Sequence, residues 1–142
     1  MGAVQNLEYR TYSQARDHFK EVLDAAERGL PVGVQRREQR VALIDAEDLR
    51  TILASSRNLS RPVAVAEAGG WTIFLSDAPI AVDAAGFDEA VEEFIQALRE
   101  YAEDWISRLS NVPNHARHWV LAQFVSHSSD DQLADWVRGD SD

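Results

Sequence analysis

The residues in this chain best suited to chemistry are Arg10, Arg16, Arg36, Arg37 and Arg40. The chemistry is recognition of phosphate, because a guanidinium is planar, always charged and presents a fixed fork of donors to an anion. Arg10 and Arg16 belong to the run Tyr9-Arg10-Thr11-Tyr12-Ser13-Gln14-Ala15-Arg16, a strand end entering a capped helix. The hydroxyls of Thr11 and Ser13, and backbone N–H groups at that helix start, add further donors for a phosphate. Arg36, Arg37 and Arg40 cluster around a hairpin tip where nothing apolar nearby would bury them. Together the five can form one surface; singly, each is an ordinary solvated charge. The far half of the chain offers carboxylates and aromatics instead. Glu92, Glu93, Glu100, Glu103 and Asp104 flank one helix, and Trp119, Phe124 and Trp136 follow on short amphipathic segments. Such aromatics either close a core or anchor a protein partner, and Trp119, Phe124, Trp136, Glu100 and Asp104 are the candidate contacts for one.

Other chemistry is poorly served. There is no cysteine, which excludes disulfides, thiolate metal sites and thiol nucleophiles. His115 and His118 are three apart on an expected helix, but no third metal ligand is placed by spacing, and His18 and His127 stand alone. Ser13 and Ser76 lack the context of a nucleophile elbow, and Gly69-Gly70 is not a phosphate loop. Carboxylate pairs such as Glu92-Glu93 and Asp130-Asp131 are sequence neighbours, which on a helix point about 100° apart and form no acid–base dyad. No catalytic residue, metal or cofactor is expected.

The elements that must position the arginines follow from periodicity. Residues 3 to 9 read as a short strand. A helix capped by Thr11 or Ser13 carries Ala15, Phe19, Val22, Leu23 and Ala26 on one face and stops at Gly29-Leu30-Pro31. Val32 and Val34 then pair as a hairpin with Val41 to Ile44 across the tip 36–40, and Asp45 caps a helix from about Ala46 to Ser55. The result is a β-α-β-β-α module over residues 1–56. Residues 57–62, ending in a proline, read as a linker. Residues 63–142 form a second module. It has a hairpin turning at Gly69-Gly70, a possible third strand over 80–83, and a helix from Phe87 to about Leu109. That helix carries the apolar stripe Val91, Phe94, Leu98, Ala102, Trp105 and Leu109. A helix from His115 to about Ser126 follows the break at Pro113, and Ser129 with Gln132 is a capping box ahead of a last helix. The fold class is α+β.

The net charge of −10 is unevenly spread. Residues 1 to 61 carry ten Arg or Lys against nine Asp or Glu, whereas residues 62 to 142 carry four against fifteen. This asymmetry suggests a different partner for each half, DNA for the first and a basic protein for the second; the alternative for the second is a solvated acidic surface that aids solubility. No apolar run suggests a signal peptide or a membrane span, so a cytoplasmic protein is expected.

Thr11-Tyr12-Ser13-Gln14-Ala15-Arg16, Phe19 with Val22-Leu23, Gly29-Leu30-Pro31-Val32, Arg36-Arg37, and Val41-Ala42-Leu43-Ile44 leading to Glu47-Asp48-Leu49 occur in this order. In that arrangement residues 3–54 resemble the N-terminal module of Phd/YefM-type (prevent-host-death) antitoxins. The resemblance implies a homodimer whose paired modules bind operator DNA through Arg10, Thr11, Ser13, Arg16, Arg36, Arg37 and Arg40. It also implies that Phe19, Leu23, Val34, Val41 and Leu43 supply core and dimer contacts. Many relatives carry a glycine after the basic pair, where this chain has Glu38. A carboxylate there weakens local phosphate affinity and sets Arg37 apart from Arg10 and Arg16. In the second module, Gly70-Trp71-Thr72-Ile73-Phe74 through Ala78-Pro79 to Gly86-Phe87-Asp88-Glu89-Ala90 faintly resembles HicB-like antitoxin domains.

The implied function is that of a type II antitoxin, which neutralises a cognate toxin by direct binding and represses its own operon through DNA. Two alternatives keep the same residues. One is a stand-alone transcriptional repressor; the other is a small-molecule-binding module, with the Trp71 hairpin lining a pocket, fused to a dimerisation domain.

Overall fold

Two three-stranded sheets and six α-helices make up the described residues, 7–108 and 118–139, of the computed structural model, a mixed α+β fold. The chain divides into two units, Met1–Leu49 and Arg50–Asp142.

In the first unit β1 (Glu8–Tyr9) lies parallel to β2 (Val32–Arg36), which pairs antiparallel with β3 (Gln39–Leu43). Residues 3–6 of the expected first strand lie outside the described residues. Between β1 and β2 the sequence pattern predicts one helix, and the structure has two, α1 (Tyr12–Asp17) and α2 (Phe19–Glu27). The break is at His18. Its backbone is non-helical (φ −119, ψ 28), its N–H bonds to Ala15 O at 3.2 Å, and its ring Nδ1 donates to the Gln14 carbonyl at 2.9 Å. The imidazole thus supplies the donor that the backbone of a continuous helix would have supplied. Thr11 caps α1, its hydroxyl oxygen accepting from Gln14 N–H at 3.1 Å. Gly29 (φ 84) ends α2 in a Schellman motif, with Leu30 N–H on Ala25 O and Gly29 N–H on Ala26 O, both at 3.0 Å.

The core of this unit is Tyr9, Ala15, Val22, Ala25, Val32 and Val34, with Leu30 and Leu43 packed against it. The expected helix stripe is therefore corrected in part. A stripe running through Ala15, Phe19 and Leu23 presumes an unbroken helix. The break at His18 changes the phase, so Val22 and Ala25 face the core while Phe19 is 49% and Leu23 40% exposed. Val41 lies opposite Val34 in the ladder but on the edge strand, and is 51% exposed. The hairpin tip is also tighter than expected. Arg36 pairs with Gln39 and Gln35 with Arg40, which leaves only Arg37 and Glu38 in the turn.

Asp45 caps α3 (Ala46–Ala54) through Glu47 N–H at 3.0 Å and Asp48 N–H at 3.1 Å. The division between units falls within this helix, ahead of the linker expected over 57–62. In that segment Leu59 is buried and the Ser60 hydroxyl donates to Asp77 at 2.6 Å, which ties it to the second unit.

In the second unit β4 (Val63–Glu67), β5 (Gly70–Phe74) and β6 (Ala81–Ala84) form an antiparallel meander. The helix α4 (Phe87–Ser107) packs on β5 and β6, and α5 (Trp119–Ser126) and α6 (Asp130–Arg138) pack on α4. Val91, Phe94, Leu98, Ala102 and Trp105 of the expected stripe are buried; Leu109, Pro113 and His115 lie outside the described residues. Trp71 packs edge-on against Phe87, ring centroids 4.9 Å apart. The capping box is present in full, Gln132 N–H on Ser129 Oγ at 3.1 Å and Ser129 N–H on Gln132 Oε1 at 2.9 Å.

Candidate functional site

The parallel pairing of β1 with β2 decides where the arginines meet. Tyr9 is opposite Val34, so Arg10 emerges at the end of the sheet where β2 runs into Arg36 and the turn. Helix α1 starts at that same end, two residues further on. Two cations approach the ring of its first residue, Tyr12: the Arg16 and Arg36 guanidinium carbons are each 5.8 Å from the centre of the ring. Tyr12 is 56% exposed, and Arg10, Ser13, Arg16 and Arg36 are exposed as well. Arg16 also makes a long contact with Asp17 at 3.5 Å. The Thr11 hydroxyl, an acceptor inside the cap, keeps its own proton to donate.

Arg37 and Arg40 fare differently. Arg37 occupies the left-handed region (φ 57) in the two-residue turn, and its carbonyl accepts from Gln35 Nε2 at 2.9 Å. The residue of the turn in the left-handed region is thus Arg37, whereas the residue that departs from the resemblance drawn in the sequence is Glu38. Arg40 is turned away from the tip and forms a bidentate pair with Glu8, Nε to Oε1 at 3.0 Å and Nη2 to Oε2 at 2.7 Å. This pair crosses over Gly33, the central-strand residue between them, where any side chain would collide with both Glu8 and Arg40. The hydrogen bond and charge of Arg40 hold the Glu8 carboxyl below the usual carboxylate range, and Glu8 raises Arg40 in return. Of the seven sequence-predicted phosphate contacts, Arg10, Thr11, Ser13, Arg16 and Arg36 gather at one end of the unit and Arg37 stands at the adjoining turn. Arg40 is occupied by Glu8. Tyr12 joins this group without being one of the seven; its signal in the sequence is an aromatic four residues before Arg16, a spacing that places both on one helix face.

In the second unit the candidate partner contacts also divide. Trp119, the first residue of α5, is 46% exposed, and Glu100 is exposed. Phe124 (1% exposed) and Trp136 (9%) are core: their rings meet edge to face at 5.0 Å, which removes both from a surface role in this fold. Asp104 is paired with Arg108 at 3.0 Å. A groove of about 600 Å³ runs between α4 and α6, lined by Val91, Ile95 and Ala134 and rimmed by Glu92, Glu93, Asp130 and Asp131. Arg99 holds the three helices together. Its guanidinium donates to the Val125 carbonyl at 2.6 Å and the Ser128 carbonyl at 2.7 Å, at the end of α5, and to Asp130 at 2.8 Å at the start of α6.

Among the described residues no group of three or more His, Cys, Asp or Glu side chains could hold a metal ion, and His118 meets the Tyr101 hydroxyl at 2.7 Å. Among them, too, no helix is long and apolar enough to cross a membrane.

The fold is similar to a crystal structure from Syntrophomonas wolfei subsp. wolfei, described as the antitoxin part of a proposed toxin/antitoxin system. The TM-score is 0.74, with 18% identity over 94% of this chain and 96% of that one. At that identity the likeness is one of fold. No curated protein matches the chain. A family model does: that of PHD-like proteins, described as the antitoxin of toxin–antitoxin, RelE/RelB, TA system, matches residues 6–138 and so runs through both units, and the chain belongs to this antitoxin family.

Proposed function

We propose that the chain is the antitoxin of a type II toxin–antitoxin pair, of Phd/YefM type in its first unit. That unit forms a homodimer and binds operator DNA of its own operon through Arg10, Thr11, Ser13, Arg16, Arg36 and Arg37. The second unit binds the cognate protein toxin and blocks it by occlusion. Family membership supplies the toxin–antitoxin context, and the observation that carries the DNA reading is the convergence of Arg16 and Arg36, from separate elements, on Tyr12. Exposed Phe19, Leu23 and Val41 support dimerisation, since they are apolar and not used by the unit's own core. The charge split supports a basic toxin for the second unit, with exposed Trp119 and Glu100 as contacts. By linkage, toxin binding and operator affinity influence each other reciprocally.

The test is co-expression with the adjoining reading frame and a mobility shift on the DNA upstream of the pair. A basic neighbour that co-purifies, and a retarded DNA band that weakens in Arg16→Ala and Arg36→Ala, is the expected result. A chain that binds this DNA fully but captures no neighbouring product is a stand-alone repressor instead.

A further inference from the structure

We infer that Tyr12 is the positioning residue of the arginine surface, its ring setting the Arg16 and Arg36 guanidiniums side by side for one nucleic-acid backbone; this rests on the DNA-binding reading above. Arg16 and Arg36 are long, flexible side chains on different elements, a helix and the end of a strand. Left to themselves, two exposed cations repel and explore many rotamers, and each must be ordered when an anion binds. The ring changes both terms. Both cations lie within the roughly 6 Å range at which an aromatic face attracts a guanidinium, so the ring offsets their repulsion and narrows their orientations before a ligand arrives.

The ring is itself placed by local rules. Thr11 caps the helix and so fixes Tyr12 as its first residue, Arg16 follows one turn later, and parallel β1–β2 pairing brings Arg36 to the same end. Being 56% exposed, Tyr12 contributes little to the core, so its replacement leaves the fold in place.

Positioning and direct contact leave different marks in a salt titration. Removing an arginine removes a phosphate contact and flattens the slope of log K against log salt by about 0.9 per contact. Removing the ring leaves both charges able to reach phosphate, so the slope stays while affinity falls at every salt concentration, by about tenfold for the two exposed ring–cation contacts of each module.

The experiment uses the full chain and a labelled duplex of the DNA immediately upstream of its reading frame, with Tyr12→Phe, Tyr12→Leu, Arg16→Ala and Arg36→Ala. Tyr12→Phe is expected to bind like wild type, and Tyr12→Leu about tenfold more weakly for each module engaged, with an unchanged slope. In the free protein, NMR should show ring-current shifts of the Arg16 and Arg36 side chains that persist in Tyr12→Phe and vanish in Tyr12→Leu. Absent ring shifts overturn the inference whatever the DNA does. Wild-type affinity in Tyr12→Leu, or equal losses in Tyr12→Phe and Tyr12→Leu, overturns it while leaving DNA binding intact. A wild-type chain that shows the shifts but does not retard the duplex overturns the DNA reading, and this inference with it.

Discussion

Replacing Phe124 with alanine separates what the C-terminal aromatics do for the fold from what they offer a partner. The Phe124 ring is 1% exposed, meets the Trp136 ring edge to face at 5.0 Å, and has the Arg50 guanidinium carbon 5.7 Å from its centre. Truncating a buried phenylalanine costs about 3–5 kcal/mol, because transfer energy is lost and a cavity remains. The upper half of that range is expected here, since an edge-to-face aromatic pair adds about 0.5–1.5 kcal/mol beyond its buried area. Trp119, 46% exposed at the start of α5, should cost about 0.5 kcal/mol or less when cut to alanine. All four tryptophans, Trp71, Trp105, Trp119 and Trp136, lie in the second unit, so intrinsic fluorescence in a urea titration follows that unit alone. At about 1–2 kcal/mol per molar urea, Phe124→Ala should lower the midpoint by about 2–5 M and Trp119→Ala by less than about 0.5 M. Under native conditions Trp119→Ala should retain its fold and lose affinity for the co-purifying partner. Equal midpoint shifts in the two variants would refute the assignment of Phe124 to the core and Trp119 to the surface.

Other expectations test the remaining polar features. Arg37→Gly should stabilise the first unit by about 1 kcal/mol in a thermal or urea melt, because glycine adopts the left-handed backbone without the steric cost an L side chain bears; destabilisation would mean that the turn does not hold Arg37 there. Arg16→Ala should flatten the operator salt slope by about 1.8 for a dimer presenting two modules, and Arg40→Ala by less than half as much, because Glu8 already occupies that guanidinium. Glu8 should be a source of acid sensitivity. Its folded-state pKa is lowered, so its stabilisation is present above the unfolded carboxylate pKa and is lost as pH falls through the folded one. Glu8→Gln should therefore be less stable than wild type at neutral pH, and the gap should close in acid. Arg99→Ala should destabilise the second unit by about 2 kcal/mol, read again by tryptophan fluorescence, since it leaves the Val125 and Ser128 carbonyls without the guanidinium.

The features legible in the amino-acid pattern are mostly local. Helix and strand boundaries follow from interactions a few residues apart. Thr11, Asp45 and Ser129 were legible as caps because a short polar side chain before an apolar run bonds the N–H groups two or three residues on, and Gly29 was legible as a stop because it tolerates positive φ. The arginines at the end of β1 and around the turn were legible as a group for the same reason. Tertiary structure decided what depends on neighbours far along the chain. Val34 and Val41 look alike in sequence, yet one lies in a central strand under the helices and the other on an edge. Phe124 and Trp119 are both aromatics of one short helix, yet one ring is enclosed by Trp136 and the other is open. Arg40 reads as one more surface cation until parallel pairing sets Glu8 beside it across Gly33. The same pairing delivers Arg36 to Tyr12, because a strand's register places residues dozens of positions apart within reach of one another, and no local pattern encodes that distance.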